Sequence, residues 1–185
     1  ATAGDVVLIA PGRYTEGAPL LVSGGITLRG GGGRPEDTVL SGSYVHQVLR
    51  VVDDARSLSI ENLTLEDGFA LQGGAAALVG AEVHFESVRF VGNAAAGDGG
   101  AVFADRSALR FRHCLFYANY ATGGRGAALH IQGVGPVGSV QFIEFFTANA
   151  NQQVVGGKTI VATSTVGGID SIKTFTFPSN LSLVA

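Results

Sequence analysis

The chain has 185 residues, a formal net charge of −3 and only 15% charged residues, so it carries no basic footprint for nucleic acid. With 46% hydrophobic residues it is a packed chain, not a disordered one, and no apolar run approaches the ~20 residues that a bilayer-spanning helix needs. Its 28 glycines follow no three-residue period, which excludes a collagen helix, and a single cysteine, Cys114, excludes an internal disulfide.

Asp5-Val6-Val7-Leu8-Ile9-Ala10 reads as a strand and Pro11-Gly12-Arg13-Tyr14 as a turn. Short strands follow at residues 20–22, 26–28 and 39–40. The run Gly30-Gly31-Gly32-Gly33 with Arg34 has the composition of a phosphate cradle. It lacks the Lys-Ser/Thr ending and a following helix, so a loop is expected there. Residues 48–51, 58–60 and 63–65 continue the strand pattern. The adjacent pairs Asp53-Asp54 and Glu66-Asp67 fall in turns. Solvated turn acids are expected at both pairs, with a weak calcium site at one of them as the alternative. No signal peptide is visible, so export would rely on a segment removed before this chain begins or lying outside it.

From Gly73 to Asn149 a phrase returns three times: Phe90-Val91-Gly92-Asn93, Phe116-Tyr117-Ala118-Asn119 and Phe146-Thr147-Ala148-Asn149. It alternates with Gly73-Gly74-Ala75, Gly99-Gly100-Ala101 and a looser Gly126-Ala127-Ala128. Phe90 and Phe116 lie 26 residues apart, as do Gly74 and Gly100, whereas Phe116 and Phe146 are 30 apart, with extra residues near Gly133-Val134-Gly135-Pro136. A fixed period of this length marks a repeat architecture. One unit holds three short apolar pieces, at residues 76–79, 83–85 and 88–90, separated by gaps too short for a helix. Three short strands and three bends make one turn of a solenoid, each strand pairing in parallel with its counterpart about 4.8 Å along the axis.

This register makes specific assignments. Asn93, Asn119 and Asn149 form an internal amide ladder at the bends, Asn tolerating the left-handed backbone region there, and Phe90, Phe116 and Phe146 stack inside. Glu86 meets Arg112 on the outside, and Ser59, His84 and Arg110 form a second outward row. Cys114 takes the inward place of Val88 and is expected to be an inert, buried thiol. If Gly123-Gly124-Arg125 adds one residue, Leu129 and Ile131 face in and His130 faces out. The solenoid is expected over residues 1–153. Residues 154–185 lack the phrases and form a β-rich tail of irregular turns, an edge hairpin or strands lent to a neighbour.

The opening stretch 5–14, with Ile26-Thr27-Leu28-Arg29-Gly30 and Thr38-Val39-Leu40-Ser41-Gly42, resembles the start of pectin-lyase-like right-handed parallel β-helix domains. The Gly-Gly-Ala and Phe-x-x-Asn phrases are similar to those of the chlamydial polymorphic outer-membrane proteins. The resemblance covers residues 4–150. It implies an all-β, right-handed, single-stranded parallel β-helix and leaves activity open, because that superfamily hosts lyases, hydrolases, adhesins and passive stalks.

Asp98 and Asp105 are the other candidate acids, and no Gly-x-Ser-x-Gly or Cys/His metal spacing occurs. No catalytic, cofactor-binding or metal-ligating residue is therefore assigned. The expected function is structural and non-enzymatic: an extracellular or cell-surface stalk, adhesin segment or filament subunit that contacts other copies of itself through uncapped ends. The alternative is a carbohydrate-active enzyme, either a polysaccharide lyase or a glycoside hydrolase, or a module that binds surface glycans. Tyr117 and Tyr120 are its best aromatic candidates.

Overall fold

The computed structural model describes residues 1–23, 25–52, 57–132, 140–148, 159–166 and 169–176. It is an all-β, parallel β-solenoid of about four turns. The first turns comprise β1 (Val6–Ile9), β2 (Gly12–Thr15), β3 (Leu20–Ser23), β4 (Thr27–Gly30), β5 (Thr38–Ser41) and β6 (Leu49–Val52). Then come β7 (Leu58–Glu66), β8 (Phe69–Ala70), β9 (Ala76–Val79), β10 (Glu82–Val91), β11 (Ala94–Ala95), β12 (Val102–Asp105), β13 (Ala108–Tyr117), β14 (Tyr120–Ala121) and β15 (Leu129–Gln132). The last are β16 (Val140–Ala148), β17 (Thr159–Val166) and β18 (Ile169–Thr176). Three parallel sheets build the coil: β1-β4-β7-β10-β13-β16 with β2 and β5, then β3-β6-β9-β12-β15, and a shorter β8-β11-β14 confined to three turns. Among the described residues no helix is long and apolar enough to cross a membrane.

The strand division differs from the expectation. The apolar pieces at 83–85 and 88–90 belong to one ten-residue strand, β10, and the third strand of the turn is the short β11. The reason is Ser87, whose φ of 53° bends β10 without interrupting its ladder. One left-handed residue shifts the inward phase, so Val83 and Phe85 point in before the bend and Val88 and Phe90 after it. Asn62 and His113, with φ of 50° and 51°, do the same for β7 and β13. In the earlier turns the corner is open. There β4 pairs with the first half of β7 and β5 with the second, and the glycine-rich loop bulges out between them. The Asn62 amide holds that loop by donating to the carbonyls of Gly30 (3.2 Å) and Gly32 (2.7 Å).

The other corners are also left-handed. Asp67, Gly92 and Ala118 (φ 50°, 63° and 53°) occupy one row, and Gly73, Gly99 and Gly126 (61°, 68° and 68°) another. At the first of these rows the positive φ is taken by the residue before each ladder asparagine, which corrects the expectation that asparagine itself adopts it. The interior is filled by equivalent side chains lying over one another. Phe85 stacks on Phe111 (5.0 Å between ring centres, 5° between planes) and Phe90 on Phe116 (4.4 Å, 13°). Phe85 meets Phe90 edge-on across the bend, at 5.2 Å and 71°. Packing thins toward the first turn, where Ile9, Tyr14, Leu20, Leu40, His46 and Val48 help line an apolar hollow of about 190 Å³.

The third unit is one residue out of the predicted register. β16 pairs Leu115 with Phe146 and Phe116 with Thr147, so the Phe146 backbone does not lie opposite Phe116. The register that prevails sets Val140 opposite Leu109 and Phe142 opposite Phe111. Those apolar matches and the Phe-x-x-Asn phrase ask for alignments one residue apart, and the longer apolar match wins. Asn149 lies outside the described residues. In the tail, β17 pairs antiparallel with β18, which departs from the parallel rule of the coil.

Glycine in the turn-to-turn contacts gives a paired test. A Cβ on Gly100 would lie 1.9 Å from the Ala127 carbonyl oxygen, whereas one on Gly80 meets nothing within 4 Å although its φ is +62°. Gly100→Ala should lower the unfolding free energy by about 2–3 kcal/mol. Gly80→Ala should cost only about 1 kcal/mol, the strain of a left-handed residue. Urea denaturation followed by circular dichroism measures both, and equal losses would contradict the packing described.

Candidate functional site

Where a strand ends at a corner, its backbone N–H and C=O groups turn inward with no ladder partner. Buried polar groups of this kind must be paired. Asn93, wholly buried, does this between turns. Its Oδ1 accepts the Gly68 N–H (2.9 Å), and its Nδ2 donates to the Leu65 carbonyl (3.0 Å) and to Asn119 Oδ1 (3.0 Å). The Asn93 backbone N–H donates to Asn119 Oδ1 at 3.0 Å, and Asn119 Nδ2 donates to the Phe90 carbonyl at 2.9 Å. Each amide thus reaches back one turn and binds both backbone groups of the corner before it. The row begins at Gly68, where a Cβ would strike the Gly74 carbonyl oxygen at 2.0 Å and no side chain fits. Phe90 and Phe116 lie immediately inside this ladder.

The sequence reading missed the equivalent pins at the other corners. Gln47 Nε2 donates to the carbonyls of Gln72 (3.1 Å) and Gly73 (2.6 Å), and Ser107 Oγ accepts the Ala81 N–H (3.1 Å). Gln47 and Ser107 occur once each in their rows, so no repeated phrase announces them. Cys114 is buried, and desolvation pushes its thiol up to about 12.

Outside, charges pair along the stack. Glu61 and Glu86 are direct ladder neighbours, and each turns to a cation on its far side. Arg29 Nη2 lies 2.7 Å from Glu61, and Arg112 Nη1 and His113 Nδ1 lie 3.5 and 2.9 Å from Glu86. Exposed pairs of this type contribute about 0–1 kcal/mol each. His84 sits in the outward row between Ser59 and Arg110. His130 takes the register set by one added residue, opposite Phe103, but its side chain is only 13% exposed. It is covered because its ring stacks on Phe103 at 5.7 Å and 4°. His130 Nδ1 is 3.8 Å from Asp98, and both line an open depression of about 460 Å³ with Gly123, Gly124, Arg125 and Gln132.

Of the acidic pairs, Asp53-Asp54 lies outside the described residues. Glu66 and Asp67 both engage Arg13, which is 3.2 Å from Asp67. Asp67 also accepts a hydrogen bond from the Tyr44 hydroxyl, which pushes that phenol up to about 12. Among the described residues no group of three or more His, Cys, Asp and Glu stands close enough to hold a metal ion. Tyr117 and Tyr120 are exposed beside the ladder corner, and the structure adds Tyr44 and Phe69 to them. Comparison with family models, curated proteins and solved structures finds no match.

Removing the amide at Asn93 strands the Leu65 carbonyl and the Gly68 N–H, so Asn93→Ala should cost about 2–4 kcal/mol in chemical denaturation. Asn93→Asp should depend on pH. A buried carboxyl has a folded pKa raised above its unfolded value, so its stability is fully present below about pH 4 and falls as pH rises through the folded pKa. A variant equally stable at pH 4 and pH 7 would contradict the buried ladder. Cys114 offers a reporter in the native protein: a thiol reagent at pH 8 should modify it only as fast as the coil opens.

Proposed function

We propose that the chain is a structural, non-enzymatic solenoid of the pectin-lyase-like, right-handed β-helix kind, similar to the repeats of chlamydial polymorphic outer-membrane proteins. It works as an extracellular or cell-surface stalk, adhesin segment or filament subunit. The observation that carries this reading is the continuity of the ladders. Leu65, Phe90 and Phe116 are successive ladder partners, and Asn93 joins Asn119 through the same turns, so these three turns are bonded by core, amide and backbone together. Such a coil resists bending and keeps its outer rows at fixed spacing. The outer edges of β1, β2 and β3 present strand backbone to which a further turn can add, from another copy or from adjoining sequence.

Sedimentation velocity and negative-stain microscopy test the assembly part. Particles one coil wide that lengthen with concentration are expected, and a dispersed monomer at the highest attainable concentration would overturn it. A second reading, a carbohydrate-active enzyme, draws on the depression where Asp98, Arg125 and His130 meet. Turnover of neutral or uronide polysaccharides, with or without calcium, that is lost in Asp98→Asn would replace the structural reading with this one.

A further inference from the structure

Among the described residues, eleven large apolar side chains are exposed, and six of them gather at the corner outside the asparagine ladder. Val45 and Leu71 are 76% and 74% exposed, and Tyr44, Phe69, Tyr117 and Tyr120 lie between 40% and 53%. The other five are spread over β1, β3 and β9. Single exposed apolar residues are ordinary, whereas six together on one small coil mark an interaction surface.

The ladder sets them at successive levels. The Phe69 N–H donates to the His46 carbonyl at 3.0 Å, so the turn with Tyr44 and Val45 stands one level ahead of β8. Phe69 then pairs with Ala94, and Ala94 with Tyr120. Tyr117 stands beside this row as the ladder partner of Val91. Leu71 follows β8, and its carbonyl accepts the Gly97 N–H at 2.8 Å. Phe69 and Leu71 are two residues apart in extended chain and so share a face. Ala94 and Ala95 between them are wholly buried, so that level is closed over and the corner is a surface. It spans four levels, roughly 14 Å along the axis.

Charge distinguishes this surface from the rest of the coil. The segments that build it, residues 42–45, 68–72, 93–97 and 119–124, contain no Asp, Glu, Lys or Arg. The outward rows of the other two sheets carry Arg29, Glu61, Glu86 and Arg112 on one and Arg50 and Asp105 on the other. The charges nearest the corner are turned to the chain itself. Asp67 takes Arg13 and the Tyr44 hydroxyl, and Asp98 accepts the Arg125 N–H at 2.6 Å.

Two arguments name the occupant. A chain with net charge −3 repels its own copies, and a charge-free apolar face is where two copies meet without opposing like charges. The levels also repeat about every 4.8 Å, and a second coil offers side-chain rows at that same spacing. We propose that this corner is a lateral contact between two copies of the chain, through which coils lie side by side. Four levels of one short strand fall below the ~800 Å² per partner of a standard interface, so the contact is weak and adds up along coils that share a direction. It is separate from contact at the coil ends, because widening of the particles reads one and lengthening the other.

The experiment is a concentration series of the purified full chain in negative stain, with sedimentation velocity on the same samples. Particle width should double, and at higher concentration than any lengthening. Leu71→Glu and Val45→Glu place charge at the two most exposed positions. Each should raise the concentration needed for doubling at least tenfold and leave the thermal unfolding curve in place. Val79→Glu makes the same kind of change at an exposed position of β9 and should leave doubling unaltered. Particles one coil wide at the highest attainable concentration would overturn the proposal, and lengthening without widening would do so while sparing the end contact. Doubling unchanged in both corner variants, or lost equally in Val79→Glu, would overturn it too. So would a wild-type chain that stays one coil wide but floats with phosphatidylcholine vesicles when Leu71→Glu does not, which would make the corner a lipid-facing surface.

Discussion

A polypeptide that turns a corner inside a stack must pair the backbone groups the corner leaves pointing inward. In this coil that demand is met across turns. The Asn93 amide binds the N–H of Gly68 and the carbonyl of Leu65, and Asn119 serves the corner at Asn93 and Phe90 in the same way. At this corner the pairing side chain comes from the following turn. Water cannot serve a group sealed behind Phe90 and Phe116, so a turn without its neighbour carries unpaired polar atoms as well as exposed rings. The amide ladder therefore couples the turns more tightly than apolar contact alone.

Much of this could be read in advance, and the limits are physical. The return of Phe90 at Phe116 and of Gly74 at Gly100 fixed the layer spacing, because stacking forces equivalent residues into equivalent places. The three-residue gap between Phe85 and Val88 was equally visible. Reading it as a break between strands was wrong because a single left-handed residue can bend a strand and leave its ladder running. Asn93 was placed correctly in space, but its neighbour Gly92 takes the strained backbone, since the asparagine side chain must point inward to reach the preceding turn. The third unit was misaligned because its phrase and its apolar alternation disagree by one residue, and local pattern does not say which contact is worth more. Tyr44 escaped notice because it belongs to an irregular turn outside the repeat and reaches the Gly92 corner through space.

Inside and outside obey different rules. Inward positions are bound by volume: rings over rings at Phe90 and Phe116, small residues where backbones approach at Gly74 and Gly100. Outward positions answer to partners within one or two steps along the axis. Like charges at Glu61 and Glu86 are tolerated because each has a cation on its far side. Chemistry can therefore vary on the outside without disturbing the coil, and the corners offer the most freedom, since their residues project away from the sheets.

The exposed aromatic row and the asparagine ladder belong to one corner, and this gives the ladder a second consequence. Phe69, Ala94 and Tyr120 each follow the ladder position by one residue, at Gly68, Asn93 and Asn119. The hydrogen bonds that pin those three backbones also set the spacing of Phe69 and Tyr120 along the axis. A recognition surface built on loops orders its side chains when the ligand arrives and loses affinity to that ordering. Here the spacing of Phe69 and Tyr120 is fixed beforehand by bonds buried a residue away. Tyr44 is itself held at its backbone and at its hydroxyl by Asp67. The same constraint that makes the fold a stack of dependent turns thus holds this exposed aromatic row in place before any partner meets it.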